Sequence, residues 1–344
     1  MNQRLDVAVI GTGNWGTTLA LVLARGGRNV TLFGRNQAEV AQLQAAGENS
    51  RFLPGQRFPA NLGLACDLAL AAQAQVILLA VPSKTIRSNA LQLAPQLVAD
   101  SIILSCAKGI ESGSLETMSE VLAEALAPHP RGLIGALSGP NIANEIAQGL
   151  PATSVVALSD DQAGQRAQSL LTTNLLRIYR SSDVVGVELG GALKNIVALG
   201  AGICDGMGLG DNAKAAFITR GLAEMTRLGM ARGAHPLTFA GLAGLGDLIA
   251  TCASPHSRNR RLGEALARGQ SLEMALAQLG QVAEGVNTTA TARQLAEQYG
   301  VELPIADELY RVLFEGKSPQ QAGLDLMQRD PKNELAGLQG LFSI

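Results

Sequence analysis

Short apolar runs recur through the first half of the chain, at 5–11 (LDVAVIG), 29–34 (NVTLFG), 75–81 (QVILLAV), 101–106 (SIILSC), 132–138 (GLIGALS) and 153–158 (TSVVAL). They are rich in Val, Ile and Leu and mostly too short for helices, so they predict buried strands. A seventh run, 175–182 (LLRIYRSS), fits a last strand. Between them lie amphipathic stretches such as 14–27 (NWGTTLALVLARGG) and 114–128 (SLETMSEVLAEALAP), which predict helices. This alternation predicts an α/β domain: a mostly parallel sheet with helices on both faces. After about residue 183 the strand-like runs stop. Helical windows follow at 184–204, 212–232, 258–268, 271–279, 287–299 and 304–314, with glycine-rich breaks at DGMGLGD and AGLGDL. The second domain, 183–344, is therefore predicted to be all-α, and the first spans 1–182.

The glycines after the first strand give the first domain a task. Gly11, Gly13 and Gly16 form G-x-G-x-x-G between a strand and a helix. In a Rossmann-like domain the first glycine allows the tight turn and the second lets a pyrophosphate approach the backbone. The third lets the helix pack on the strand, and the helix N-terminus receives the phosphates. The second strand ends at Gly34 and Arg35, with no acid beside it in the sequence. An arginine there suits the 2′-phosphate of NADP(H). A solvated surface arginine is the plain alternative.

Composition narrows the remaining classes. Apolar residues make up 47% of the chain and charged residues 16%, which describes a well-buried globular protein. A net charge of -2 argues against general nucleic-acid binding. Cys66, Cys106, Cys204 and Cys252 are widely spaced and read as reduced thiols, with no metal site. The N-terminus enters a strand at once, without a signal peptide. The longest uncharged apolar stretch, 69–81, is broken by Gln73 and Gln75, so no membrane span is expected. A cytoplasmic protein is the expectation.

Candidate chemistry is spread over both halves of the chain. Lys108 follows a strand, where the ligand crevice of an open sheet lies. Gly139 and Pro140 turn into a predicted helix at Asn141, whose start offers N–H groups to an anion. Lys194 lies inside the apolar stretch VELGGALKNIVAL, with Gly190 and Gly191 on the same helix face. The glycines predict a groove beside the ammonium; a lysine reaching the surface past packing glycines is the alternative. In SPHSRNRRLG, Ser257 is a predicted N-cap and Arg258, Asn259, Arg260 and Arg261 fill the first helical turn. Cations at a helix start oppose its dipole unless a phosphate binds there. Asp247 is expected to orient Lys194 or bind a substrate hydroxyl, with a helix N-cap as the plain alternative.

Taken together, GTGNWGTTLA, AKGIE, LSGP, VELGGALKNIVALGAGICDGMGLGDNAKAAFITRGLAEM, GLAGLGDLIATC and SRNRRLG resemble the bacterial NAD(P)-dependent glycerol-3-phosphate dehydrogenases over almost the whole chain. The resemblance implies reduction of dihydroxyacetone phosphate to sn-glycerol 3-phosphate by NADPH or NADH, supplying glycerophospholipid synthesis, by a cytoplasmic enzyme that pairs as a homodimer. It implies Lys194 as the catalytic lysine, and Lys108, Gly139, Asn141, Asp247, Ser257, Arg258 and Asn259 as substrate positions. Asn14, Trp15, Arg35, Phe52, Lys108, Ala143, Arg258, Val282 and Glu284 would meet the cofactor beside the three glycines. Two residues depart from the pattern: Asn141 stands where Ser or Thr is usual, and Phe52 where tyrosine is common. A dehydrogenase of the same plan acting on another hydroxy acid is one alternative, although the chain offers a phosphate-type cluster and no second carboxylate-binding arginine pair. A non-catalytic dinucleotide sensor is the other, and it has no use for Lys194.

Overall fold

The computed structural model describes residues 4–280, 283–334 and 336–337. They form two compact units: residues up to 107 together with 116–184, and residues 108–115 together with those from 185 onward.

The first unit is built on one eight-stranded sheet. Its strands are β1 (Val7–Ile10), β2 (Val30–Phe33), β3 (Leu62–Ala65), β4 (Val76–Leu79), β5 (Ile102–Ser105), β6 (Ile134–Ser138), β7 (Ala152–Ala157) and β8 (Leu176–Ser181), ordered β3-β2-β1-β4-β5-β6-β7-β8. Neighbours run parallel except β6 and β7. The alternation of side chains along each strand separates two apolar layers. Val7 and Val9 join the layer of the Asn14–Arg25 and Asp161–Leu171 helices, while Ala8 and Ile10 face the Ile86–Leu93 and Met118–Ala125 helices. The expected sheet with helices on both faces is what forms.

Sequence reading missed β3. Its run LGLA is short and carries Gly63, where a Cβ would come 2.6 Å from Thr31 Oγ1 on β2. The Thr31 side chain takes the space an apolar side chain would fill, so the strand's hydrophobic signal is weak. The order of strands reverses around β1, which lies between β2 and β4. The glycine turn leaves β1 at this switch point, where open α/β sheets bind ligands.

The second unit is helical, as its periodicity predicts. The Val184–Gly206 helix is buried over most of its length and is surrounded by the Gly210–Ala231, Arg258–Ala267, Glu284–Tyr299 and Pro304–Phe314 helices. Glycine sets its crossings. A Cβ on Gly202 would lie 1.9 Å from Arg260 O, and one on Gly263 would lie 1.9 Å from Leu199 O. The two helices therefore touch backbone to backbone. The expected break at AGLGDL is a correction: residues 242–246 form a π-helical turn that runs into the Asp247–Ala253 helix. Gly244 permits this, since a Cβ there would sit 2.1 Å from Phe239 O.

The expectation that no segment approaches a membrane span also needs correction. Val184–Gly206 and Pro236–Ala253 are both long and apolar enough by length and composition. The first is 89% buried over its most apolar window and serves as the central core helix.

Gly263→Ala is expected to destabilise the protein by about 3 kcal/mol, because backbone rather than a yielding side chain meets the new methyl. Denaturant unfolding measures it; an unchanged midpoint would mean that the two helices part at no cost.

Candidate active site

At the turn after β1, Gly11 adopts φ +113°, and a Cβ there would lie 2.5 Å from Ala80 O on the segment after β4. Gly16 is equally constrained, with a Cβ falling 2.0 Å from Gly11 O. Gly13 differs: nothing lies within 4 Å of its Cβ position. Two glycines thus hold the turn closed and the third leaves its face open. Asn14 opens the following helix; its Nδ2 donates to Asn144 Oδ1 at 3.0 Å, while its own Oδ1 is buried without a partner among the described residues. An open backbone cradle, a helix start and an orphaned buried acceptor fit a dinucleotide phosphate and its attached groups.

Several other sheet-unit residues converge on Thr12, inside the turn. Asn49, buried, donates to Thr12 O and Thr17 Oγ1, both at 2.8 Å, and its carbonyl accepts the Phe52 N–H at 3.2 Å. Phe52 is half-buried under the Arg51 guanidinium. Trp15 packs against the core from the first turn of its helix. Arg35 is exposed and pairs with Glu39 at 3.3 Å. This overturns the expectation that no acid lies beside Arg35. Glu39 comes from the next helix, Gln37–Ala46, and its carboxylate reaches both the Arg35 N–H at 2.8 Å and the Thr12 hydroxyl at 2.9 Å.

Gly139 has φ +145° and abuts Ser154 Cα and Thr153 O, a conformation that favours glycine. Asn141 does not begin a helix as expected. Its Nδ2 donates to Thr153 O at 3.1 Å and its Oδ1 accepts from Ser154 Oγ at 3.0 Å, so the amide ties this turn to β7. The helix starts at Ala143 and has five residues; the Ala143 carbonyl accepts from Thr18.

In the helical unit, Lys194 is buried and Asp247 more so. Lys194 Nζ donates to Asp247 Oδ1 and, at 2.6 Å, to Thr251 Oγ1. Lys108 Nζ donates to the other carboxylate oxygen, Asp247 Oδ2, at 2.7 Å. One carboxylate thus holds two ammoniums. Thr251 donates its own proton to the Asp247 carbonyl at 2.6 Å, which leaves its oxygen free to accept from Lys194. Burial pulls the Lys194 pKa down from 10.5 to about 8; Asp247 opposes that fall and Lys108 adds to it. Burial alone would raise Asp247, but the two lysines outweigh it and hold its carboxyl below its ordinary value.

Gly190 brings this cluster together in a way the groove reading did not foresee. A Cβ on it would lie 2.8 Å from Ala243 O, so its space is filled by the 243–244 backbone. One helical turn beyond each contact stand Lys194 and Asp247. The missing side chain creates a close approach, and the approach creates the ion pair.

A buried amide relay supports the lysines. Asn195 donates to Lys108 O at 3.3 Å and accepts from Asn259 Nδ2 at 2.9 Å; Asn259 Oδ1 then accepts the Gly285 N–H at 3.0 Å. Glu284 is the first residue of the helix beginning there, and Val282 lies outside the described residues. Ser257 caps its helix as expected, accepting the Arg260 N–H at 3.3 Å, and Arg258 is exposed at the helix start. Arg260 is not available to an anion in the way the cluster suggested. Its Nε donates to Asp205 at 2.6 Å, its Nη2 pairs with Glu264 at 2.8 Å, and Lys214 also reaches Asp205.

Two family models match the chain: the NAD-dependent glycerol-3-phosphate dehydrogenase N-terminus over residues 6–164 and the C-terminus of the same over 183–323. The chain belongs to the NAD-dependent glycerol-3-phosphate dehydrogenase family. It is 46% identical over 329 residues to a glycerol-3-phosphate dehydrogenase (NAD(P)+) of Desulfitobacterium hafniense, covering 96% of this chain and 93% of that one. A relative of the same name from Geobacter metallireducens is 49% identical over 329 residues, 95% of this chain and 98% of its own. The solved glycerol-3-phosphate dehydrogenase of Coxiella burnetii superposes with a TM-score of 0.89 at 39% identity, covering 95% of this chain and 99% of that one. As a member of this family the protein is an NAD(P)-dependent oxidoreductase.

Sequence reading missed Thr251, Asn195, Asn49 and Glu39 at these clusters. Thr251 and Asn195 had a readable signal, since each is a polar residue inside an apolar helical run, spaced from Asp247 or adjacent to Lys194. Asn49 and Glu39 meet the glycine turn only through the fold.

In this dehydrogenase, removing the shared carboxylate should cost far more than removing one of its cations. Asp247→Ala strands two lysines and is expected to destabilise by about 3–5 kcal/mol, while Lys194→Met leaves Asp247 paired with Lys108 and should cost about 1 kcal/mol or less. Equal losses in thermal unfolding would contradict the shared-carboxylate arrangement.

Proposed function

We propose that this chain reduces dihydroxyacetone phosphate to sn-glycerol 3-phosphate, reversibly, in the cytoplasm, and that it supplies glycerophospholipid synthesis as a homodimer. Residues 1–182 serve as the dinucleotide domain and 183–344 as the substrate and catalytic domain. The observation that carries the reading is the buried Lys194–Asp247–Lys108 cluster in a chain of this family. Such a cluster holds one proton in surplus and one unit of positive charge, which is what a carbonyl oxygen needs as it becomes an alkoxide.

NAD(P)H supplies the hydride when bound. The glycine turn at Gly11, Gly13 and Gly16 and the start of the Asn14–Arg25 helix are suited to its pyrophosphate, with Asn14, Trp15, Arg35, Phe52, Ala143, Val282 and Glu284 assigned as further contacts. Lys194 keeps its proton at neutral pH, yet its pKa of about 8 lies close enough to release it. Asp247 and Thr251 fix the ammonium, and Lys108, on the other carboxylate oxygen, adds a second positive charge to the cluster. In a dry pocket these charges stabilise the developing alkoxide strongly. Arg258, Ser257 and Asn259 at their helix start, with Gly139 and Asn141, are assigned to the substrate; Arg258, exposed at the helix start, is assigned to its phosphate, while Arg260 is engaged by Asp205.

Lys194→Met tests this directly. The kcat for NADPH oxidation with dihydroxyacetone phosphate should fall 10²–10⁴-fold, while the Kd for NADPH stays within about twofold. In the wild-type protein, reduction needs the protonated lysine. Its kcat should therefore hold constant below about pH 8 and decline above it, while glycerol 3-phosphate oxidation rises over the same interval. A variant that keeps most of its kcat would remove Lys194 from the chemistry.

A further inference from the structure

The carboxylate of Glu39 lies where the strand β2 end meets the glycine turn. Its Oε1 accepts from Thr12 Oγ1 at 2.9 Å and its Oε2 from the Arg35 N–H at 2.8 Å, and both oxygens are in reach of the Arg35 guanidinium. Two features of the local sequence build this position. Asn36 caps the helix by accepting the Glu39 N–H at 2.9 Å, and Gly34 leaves room, since a Cβ there would lie 3.3 Å from Glu39 Oε2. Burial works to raise the carboxyl pKa, but the Arg35 backbone and side-chain bonds and the Thr12 bond outweigh it, so the group is ionised at neutral pH. Its partner cation is held loosely: the Arg35 side chain is 77% exposed, and an ion pair in water is weak.

In a dinucleotide fold an acid at the end of the second strand accepts from the adenosine ribose 2′-hydroxyl, and an arginine there receives a 2′-phosphate. This chain carries both, bonded to each other. We propose that Glu39 is a specificity-determining residue for the dinucleotide, favouring the 2′-hydroxyl of NAD(H) and opposing the 2′-phosphate of NADP(H), against the contrary pull of Arg35. The inference rests on the dinucleotide reading above. A 2′-phosphate must draw Arg35 away from Glu39 and then sit beside a carboxylate. A 2′-hydroxyl donates to that carboxylate and leaves the pair in place. The acid arrives from the following helix instead of from the strand, which is why a strand-end motif does not reveal it.

Calorimetric titration with NADPH and with NADH, on the wild type and on Glu39→Gln, tests the assignment without turnover. The substitution keeps the side-chain shape and removes the charge. The ratio of the NADH Kd to the NADPH Kd should rise about tenfold, with NADPH tighter and NADH weaker; Glu39→Ala should move the ratio the same way. A shift under threefold, or one toward NADH, overturns the proposal. Repeating the comparison in an Arg35→Gln background separates a direct role from one exerted by holding the arginine. The ratio must still move at least threefold there, and no movement overturns the proposal. If the wild type bound neither nucleotide, the dinucleotide reading itself would fall, a result distinct from an unchanged ratio.

Discussion

The buried carboxylate of Asp247 is the constraint around which the helical unit is arranged. A charge so far from water is tolerable only when it is paired and fully bonded, and Asp247 meets both conditions through Lys194 and Lys108. Those partners come from distant parts of the chain. One lies on the central helix and the other in the 108–115 segment, which groups with the helical unit although the rest of its neighbourhood in sequence belongs to the sheet unit. The geometry is delivered by backbone contact: Gly190 against Ala243, and Gly202 and Gly263 across the helix crossing that also aligns Asn195 with Asn259. Glycines that weaken a helix by roughly 1 kcal/mol each are offset here by the ion pairs and amide bonds they allow.

The sheet unit shows the same economy at smaller scale. Thr12, between two glycines of the turn, collects Asn49 through its carbonyl and Glu39 through its hydroxyl. Segments from the first two helices and the 49–53 loop are thereby tied to one turn. What stays open is the face of Gly13 and the Oδ1 of Asn14. The turn is thus braced at Gly11, Thr12 and Gly16 and open at Gly13.

Most of the architecture was legible because buried parallel strands and amphipathic helices impose different apolar periods, and here the two patterns do not overlap. The weak points follow from glycine. β3 carries little apolar signal because the Thr31 side chain fills the space beside Gly63, and residues 242–246 read as a break because glycine permits the π turn that continues the helix. Within the site, Lys194, Lys108, Asp247 and Asn259 were identified from the chain and are joined in space. The purpose of Gly190 was misjudged, since spacing along a helix says that a side chain is missing but not what fills the gap. Arg260 differs from the cluster reading for a related reason: its partner Asp205 is on another helix, so of the three arginines in that turn Arg258 and Arg261 stay exposed and Arg260 is tied into the fold. Glu39 lay outside the expected strand-end position and reached it only by folding back.

Everything proposed for the chemistry turns on Lys194, an ammonium that burial readies to give up its proton and that Asp247 holds in place. Titration of lysine side chains by NMR with isotope-labelled lysine, with the resonance assigned by its loss in Lys194→Met, measures this directly. Lys194 is expected to titrate at about 8. A value near the ordinary 10.5 would contradict it.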